Sequence, residues 1–199
     1  MQKRGLERYS EMIWRPFFEK EFREIVGKKV VDMGCGDGRY TGMLSNYNEY
    51  YGVDIDDKAV MATFIGRVEE IPLPDNHVDE VIAIGILDYS DQVSTIKEAN
   101  RVLKVGGKFR VMVPNTMCPY HMLAAIFNFR YHKKTYVWGE FVNLIKSGGF
   151  DIEYDWEDGF CFWVPTKWLQ DKLIPFYLAF NTFLGGIMGN NMYIRAVKQ

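Results

Sequence analysis

The sequence predicts an α/β fold, a mostly parallel β-sheet covered by helices on both faces. Three observations carry this reading. Short apolar runs of strand type alternate with amphipathic stretches of helical period along most of the 199 residues. The first apolar run ends in a glycine-rich turn that leads into a helix. No repeat, low-complexity tract or linker divides the chain, so one core serves all of it. Strands alternating with helices build βαβ units, and parallel sheets made this way are buried on both sides.

The elements follow in order. Residues 7–26 have Ile13, Phe17, Phe18, Phe22 and Ile25 near helical spacing, with Pro16 as a kink or split point. After the break Gly27-Lys28-Lys29, Val30–Met33 is a buried-strand signal. The glycine loop Met33-Gly34-Cys35-Gly36-Asp37-Gly38 comes next, then a helix from Tyr40 to about Asn46. Tyr50–Ile55 is a second strand and Asp57 to about Phe64 a short helix. Val78–Ile86 is a third apolar run, opened by the turn Leu73-Pro74-Asp75-Asn76. Asp91–Leu103 is an amphipathic helix stopped at Val105-Gly106-Gly107. Lys108–Val113 is a strand ended by Pro114. Glu140–Lys146 is a helix, and Phe150–Tyr154 and Tyr193–Val197 are strands. Residues 160–190 depart from the alternation, being aromatic and glycine-rich.

Composition narrows the function classes. The net charge is −2 and no basic run occurs, so nothing attracts nucleic acid. Cys35, Cys118 and Cys161 stand far apart, without metal-ligand spacing and in odd number. A disulfide framework is not expected, which fits a cytoplasmic protein. The N-terminus is charged and without an apolar signal segment. The longest apolar candidate, Leu173–Met188, is interrupted by Pro175, Asn181 and Thr182.

The glycine loop carries the chemistry. Glycines let a ligand approach the backbone, and the following helix offers unpaired N–H groups. In an open parallel sheet, ligands bind beyond the carboxyl ends of the strands. Asp54 ends the second strand 18 residues after Gly36, where an acid can bond both hydroxyls of a ribose. The spacing is G-x-G-x-G, not the dinucleotide G-x-G-x-x-G, so a nucleoside without a pyrophosphate fits better than a nicotinamide cofactor.

These residues resemble the class I S-adenosylmethionine-dependent methyltransferases, especially the small-molecule and lipid branch. The resemblance runs from about Val30 to Tyr154. Residues 30–40 resemble the family's first motif and Gly52-Val53-Asp54-Ile55 its second. Glu70–Asp79 resembles the stretch before the fourth strand, and Arg101–Gly107 the helix and turn before the fifth. The family implies a Rossmann-like methyltransferase fold, with a mostly parallel seven-stranded sheet and an antiparallel last strand. It implies S-adenosyl-L-methionine as cofactor and S-adenosyl-L-homocysteine as product. By position, Gly34 and Gly36 would contact the cofactor through backbone, and Asp32 would organise the loop and the methionine amino group. Asp54 would hold the ribose, Ile55 line adenine, Val68 present backbone to the adenine edge, and Ile84 and Gly85 lie by the reacting methyl. Arg67 stands where relatives often carry an acid. Adenine recognition then falls to backbone or to Glu69, unless the alignment shifts.

Each feature also has a plainer reading. The glycines could form only a tight turn, and Asp54 a loop acid or helix cap. Asp32 could chiefly bond loop amides. Cys35 fits a small space without a base partner. His121, His132 and Tyr120 follow the fifth strand, where the fold places substrate, and are candidate general bases or merely surface side chains. His77 lies in a solvated turn. The 160–190 segment is an apolar lid, a membrane contact, a packed helix or a dimer contact. The chain is thus expected to be one methyltransferase domain, with residues 1–27 as a helical cap. It would methylate a small or lipid-like acceptor, with peripheral membrane contact allowed, as monomer or homodimer. The alternatives are a non-catalytic cofactor-binding module and a nicotinamide-dependent oxidoreductase. The base-methylating signature is absent, with Ile84-Gly85-Ile86-Leu87 in its place.

Overall fold

The computed structural model describes residues 14–118, 121–122, 132–157 and 191–199. Helix α1 covers residues 14–21 and passes through Pro16. The strands are β1 (Lys29–Met33), β2 (Glu49–Asp54), β3 (Phe64–Ile65), β4 (Val78–Ile84), β5 (Leu103–Pro114), β6 (Phe150–Glu157) and β7 (Asn191–Lys198). Helices α2 (Gln92–Val102) and α3 (Trp138–Ser147) precede β5 and β6.

The seven strands form one sheet in the order β3-β2-β1-β4-β5-β7-β6. β1 pairs in parallel with both β2 and β4, β2 with β3, and β4 with β5. β7 pairs antiparallel with β5 and β6. The order reverses beside β1, so the crevice between β1 and β4 is the switch point.

Side chains of a strand alternate between faces, and here both faces are covered. Val31, Met33, Val81, Ala83, Phe109 and Val111 pack under α2 and α3, against Ile96, Ala99, Phe141 and Ile145. Val30, Ile82, Met112 and Tyr193 face the other way, under Trp14, Phe18, Phe22 and Ile25. That second face also holds Arg110, whose side chain is 0% exposed. Its guanidinium donates to Glu80 Oε2 at 2.8 Å, Glu21 Oε1 at 2.5 Å and Glu24 Oε1 at 3.1 Å. Burial lifts the Glu80 carboxyl above its ordinary range while Arg110 pulls it back. α1 is therefore held by a charge network as well as by its aromatic face.

Two further segments form a clasp. Arg101 donates to the carbonyls of Leu73 (2.8 Å) and Ile71 (3.0 Å) and to Asp75 Oδ1 (2.7 Å). Glu98 Oε1 accepts from the Ile71 amide at 2.6 Å. The turn before β4 and the end of α2 thus satisfy each other's polar groups.

The sheet and the main helices follow the sequence reading, and three local expectations do not. The expected helix stop Val105-Gly106-Gly107 lies inside a strand, because α2 ends at Val102 and β5 begins at Leu103. The segment after the glycine loop is a 3₁₀ helix, Gly42–Asn46, shorter than expected from Tyr40. Asp57–Phe64 is not helical: its backbone is committed elsewhere. The Met61 amide donates to Gly36 O at 3.2 Å and the Thr63 amide to Gly52 O at 2.8 Å, which leads the chain into the two-residue strand β3. The N-terminal residues 1–13, Tyr120 and the aromatic segment 160–190 lie outside the described residues.

Candidate active site at the carboxyl ends of β1, β2, β4 and β5

The glycine loop leaves β1 with Gly34, Gly36 and Gly38 at positive φ. Gly34 is required twice over: φ is +75°, and an added Cβ would lie 2.9 Å from the Ile86 side chain beyond β4. At Gly36 and Gly85, both at positive φ, an added Cβ would meet nothing within 4 Å. The loop backbone there borders open space.

Asp54 closes the loop from β2. Its Oδ2 accepts from the Gly36 amide at 2.9 Å, and its Oδ1 from the Asp56 amide at 2.9 Å. A carboxylate has about four acceptor positions, so each oxygen retains one beyond these amides. Ile55 beside it is 72% exposed, an apolar surface at the same edge. Val68 is buried. The Gly85 amide donates to Met112 O at 3.1 Å, which holds the end of β4 against β5.

Asp32, for which the sequence leaves open both loop amides and a loop-organising role, bonds hydroxyls. It is buried, and its Oδ2 accepts from the Thr41 hydroxyl and the Tyr50 hydroxyl, each at 2.5 Å. It ties the exit of the loop to β2. Burial raises its carboxyl to about 6, against the opposing pull of the two hydroxyls. Cys35 faces inward beside Gly52, and burial pushes its thiol up to about 12. That is no nucleophile. Arg67 pairs with Glu69 at 3.1 Å, and the same Glu69 oxygen accepts from the Asp91 amide at 3.0 Å. Glu69 Oε1 thus holds two donors.

The histidines expected beyond β5 come together. His121 and His132 meet edge to face, with ring centroids 5.2 Å apart. His121 Nδ1 lies 2.7 Å from the Asn115 carbonyl oxygen, just past the end of β5. A carbonyl only accepts, so this nitrogen carries the proton. Burial depresses the basicity of His121. His132 Nδ1 lies 2.9 Å from Asp88 Oδ2, four residues past β4. Sequence reasoning misses Asp88, because nothing in Leu87-Asp88-Tyr89 marks it; only the fold brings His132 to it. His77 lies at the opposite end of the sheet, before β4, near Lys29 and Tyr51. A site with a backbone cradle, an acid for a ribose and open glycines fits a nucleoside cofactor.

Residues 31–111 match the family described as "Methyltransferase domain". Over these residues the chain is similar to methyltransferase domains. It is 26% identical over 147 residues to a probable S-adenosylmethionine-dependent methyltransferase of Mycolicibacterium smegmatis, covering 68% of this chain and 57% of that one. It therefore spans little more than half the length of that relative. It is 25% identical over 199 aligned residues to the demethylmenaquinone methyltransferase of Staphylococcus haemolyticus, covering 88% of this chain and 80% of the relative. Among solved structures, a SAM-dependent methyltransferase of Thermotoga maritima shares the fold. Its TM-score is 0.66 at 18% identity, covering 98% of this chain and 95% of the other.

Proposed function

We propose that this protein transfers a methyl group from S-adenosylmethionine to a small, lipid-like acceptor bearing an acidic ring hydroxyl, of the quinol type. The observation that carries the donor half is the junction of the open glycine loop with the Asp54 carboxylate. Gly34 and Gly36 hold the nucleoside through backbone, and Asp54 takes the ribose hydroxyls on its remaining lone pairs. Ile55 lies along adenine with Val68 at its edge, and Asp32 steadies the loop on the side of the methionine ammonium. Ile84 and Gly85 border the reacting methyl. Bound there, the cofactor supplies an already activated methyl group, so the protein's part is to orient the acceptor and exclude water.

Support for the acceptor comes from two sides. The demethylmenaquinone methyltransferase aligns over most of this chain. Tyr89, Met117 and Met122 expose apolar surface beyond β4 and β5, beside the histidines. No helix among the described residues is long and apolar enough to cross a membrane, so an acceptor of this class would be met at the lipid surface or in solution.

Calorimetry with S-adenosylmethionine and S-adenosylhomocysteine tests the donor half, and no heat at millimolar ligand overturns it. Asp54→Ala should weaken either ligand by about 1–3 kcal/mol, the worth of hydrogen bonds to a charged group. Labelled methyl transfer to demethylmenaquinol in detergent tests the acceptor half.

A further inference from the structure

We propose that His132 accepts the proton released by the methyl acceptor, and that Asp88 is the residue that positions it. The inference rests on the methyl-transfer reading above and adds to it the groups that handle the proton.

Asp88 is a buried carboxyl. The Asp88 side chain is 0% exposed. One of its oxygens meets His132 Nδ1 at 2.9 Å. The other, Oδ1, is buried with no hydrogen-bond partner among the described residues. A buried carboxylate left half-satisfied is costly, and natural folds keep such a group where it works. Proton transfer to His132 creates a cation beside this charge, and the pair then compensates itself. Asp88 thus stabilises the product of the proton transfer rather than the resting state.

Orientation follows from the same contact. Asp88 Oδ2 accepts from Nδ1–H, which leaves the ring's lone pair on Nε2, the nitrogen that takes a proton. His121 is bound the same way through the Asn115 carbonyl, and its basicity is depressed by burial. Its ring stands edge to face against His132, with centroids 5.2 Å apart.

The location agrees. Asp88 follows β4 and Asn115 follows β5, while the Tyr136 amide donates to Pro114 O at 2.9 Å and the Tyr136 hydroxyl to Leu87 O at 3.0 Å. These bonds join the segment bearing His132 to the ends of both strands. Ile86, two residues before Asp88, packs on Gly34. Asp88 therefore stands on the chain segment that borders the glycine loop, and His132 is bound to it there.

The balance is simple. The acceptor gives its hydroxyl proton to Nε2 as its ring carbon gains the methyl. The electron pair of the broken carbon–sulfur bond stays on sulfur. The displaced ring proton restores the hydroxyl, and the proton on Nε2 passes to water, so one proton leaves for each methyl transferred.

The test has two arms. In ¹⁵N-histidine-labelled protein, only three imidazoles must be assigned. His132 should be the Nδ1–H tautomer in the wild type and should lose that preference in Asp88→Leu, while His121 keeps it. In the second arm, demethylmenaquinol is the acceptor. His132→Gln should lower kcat by about 10²-fold or more, with KM within about threefold and S-adenosylhomocysteine binding unchanged by calorimetry. Asp88→Leu should lower kcat with the same unchanged binding. An Nε2–H His132 in the wild type, or His132→Gln turning over within about threefold of wild type, overturns the proposal. Wild type inactive on the quinol but with Nδ1–H His132 refutes the quinol acceptor while supporting the Asp88–His132 pair.

Discussion

Replacing Asp32 with asparagine should make the protein more stable relative to wild type as pH rises, by a predictable amount. In the fold, burial holds this carboxyl at about 6 against an ordinary 3.8. A rise of about two pKa, at about 1.4 kcal/mol each, is roughly 3 kcal/mol of differential interaction. The sign follows from proton binding. Between 3.8 and about 6 the native state holds the proton more tightly than the unfolded chain, so stability falls as pH rises through that window. Below it both states are protonated and the contribution is fully present; above it the contribution is lost. An asparagine side chain does not titrate, and its carbonyl oxygen can still accept from Thr41 and Tyr50. The variant-minus-wild-type difference should therefore climb by about 2–3 kcal/mol between about pH 4 and pH 7. Urea unfolding of both proteins across that range measures it. Using the difference cancels every other titrating group, including Asp79 and Glu24, whose native carboxyls lie below their ordinary values. A flat difference would refute the claim that Asp32 is a desolvated carboxyl. The same variant should bind S-adenosylmethionine more weakly if the charge faces the methionine ammonium.

Other substitutions probe packing and reactivity. Arg110→Met leaves Glu80 without its guanidinium, while Glu21 keeps that of Arg195 at 2.9 Å, and should cost about 3–5 kcal/mol in urea unfolding, the range for breaking one side of a buried pair. Gly52→Ala drives a Cβ into the Met61 carbonyl oxygen, a backbone atom that cannot rotate away. Its destabilisation should reach about 1–3 kcal/mol or more, read as a lowered Tm and weaker cofactor binding. Cys35, buried with its thiol pushed up to about 12, should resist alkylation at about pH 8 in the native protein and react on unfolding. Peptide mass mapping separates it from the other cysteines.

Much of the sheet is readable in the residues because its strands are short apolar runs flanked by glycine, proline or acid. Val30–Met33 and Val78–Ile84 are buried on both faces, and that leaves a plain mark on composition. The glycine loop and Asp54 are readable for a different reason, since backbone approach and a ribose each demand a particular residue type at a particular distance. What the sequence conceals depends on partners far away in the chain. Asp57–Phe64 has the composition of a helix start, yet its amides serve Gly36 and Gly52. Arg110 sits in a strand pattern as if facing water, and the carboxylates that bury it come from Glu80 on the neighbouring strand and from α1 and the residues just after it, 86 and 89 positions earlier. Asp88 and His132 are 44 residues apart, and no local pattern announces their meeting. Glu70–Asp79 and Arg101–Gly107 read as family signatures; their side chains show them to be two halves of one structural clasp.

The charge network around Arg110 also bears on how the molecule is built. A leucine in its place would leave, whenever α1 lifted away, a greasy face ready to stick to a neighbouring chain. Arginine inverts that hazard. With α1 undocked, the guanidinium can be hydrated, and the half-made sheet shows water a cation instead of an adhesive patch. The matching carboxylates, Glu21 and Glu24, are synthesised well before Arg110, and must wait for β4 and β5 before they find their partner. Specificity of that late docking then comes from counting charges, since a displaced or mismatched helix would leave acids or a base stranded out of water.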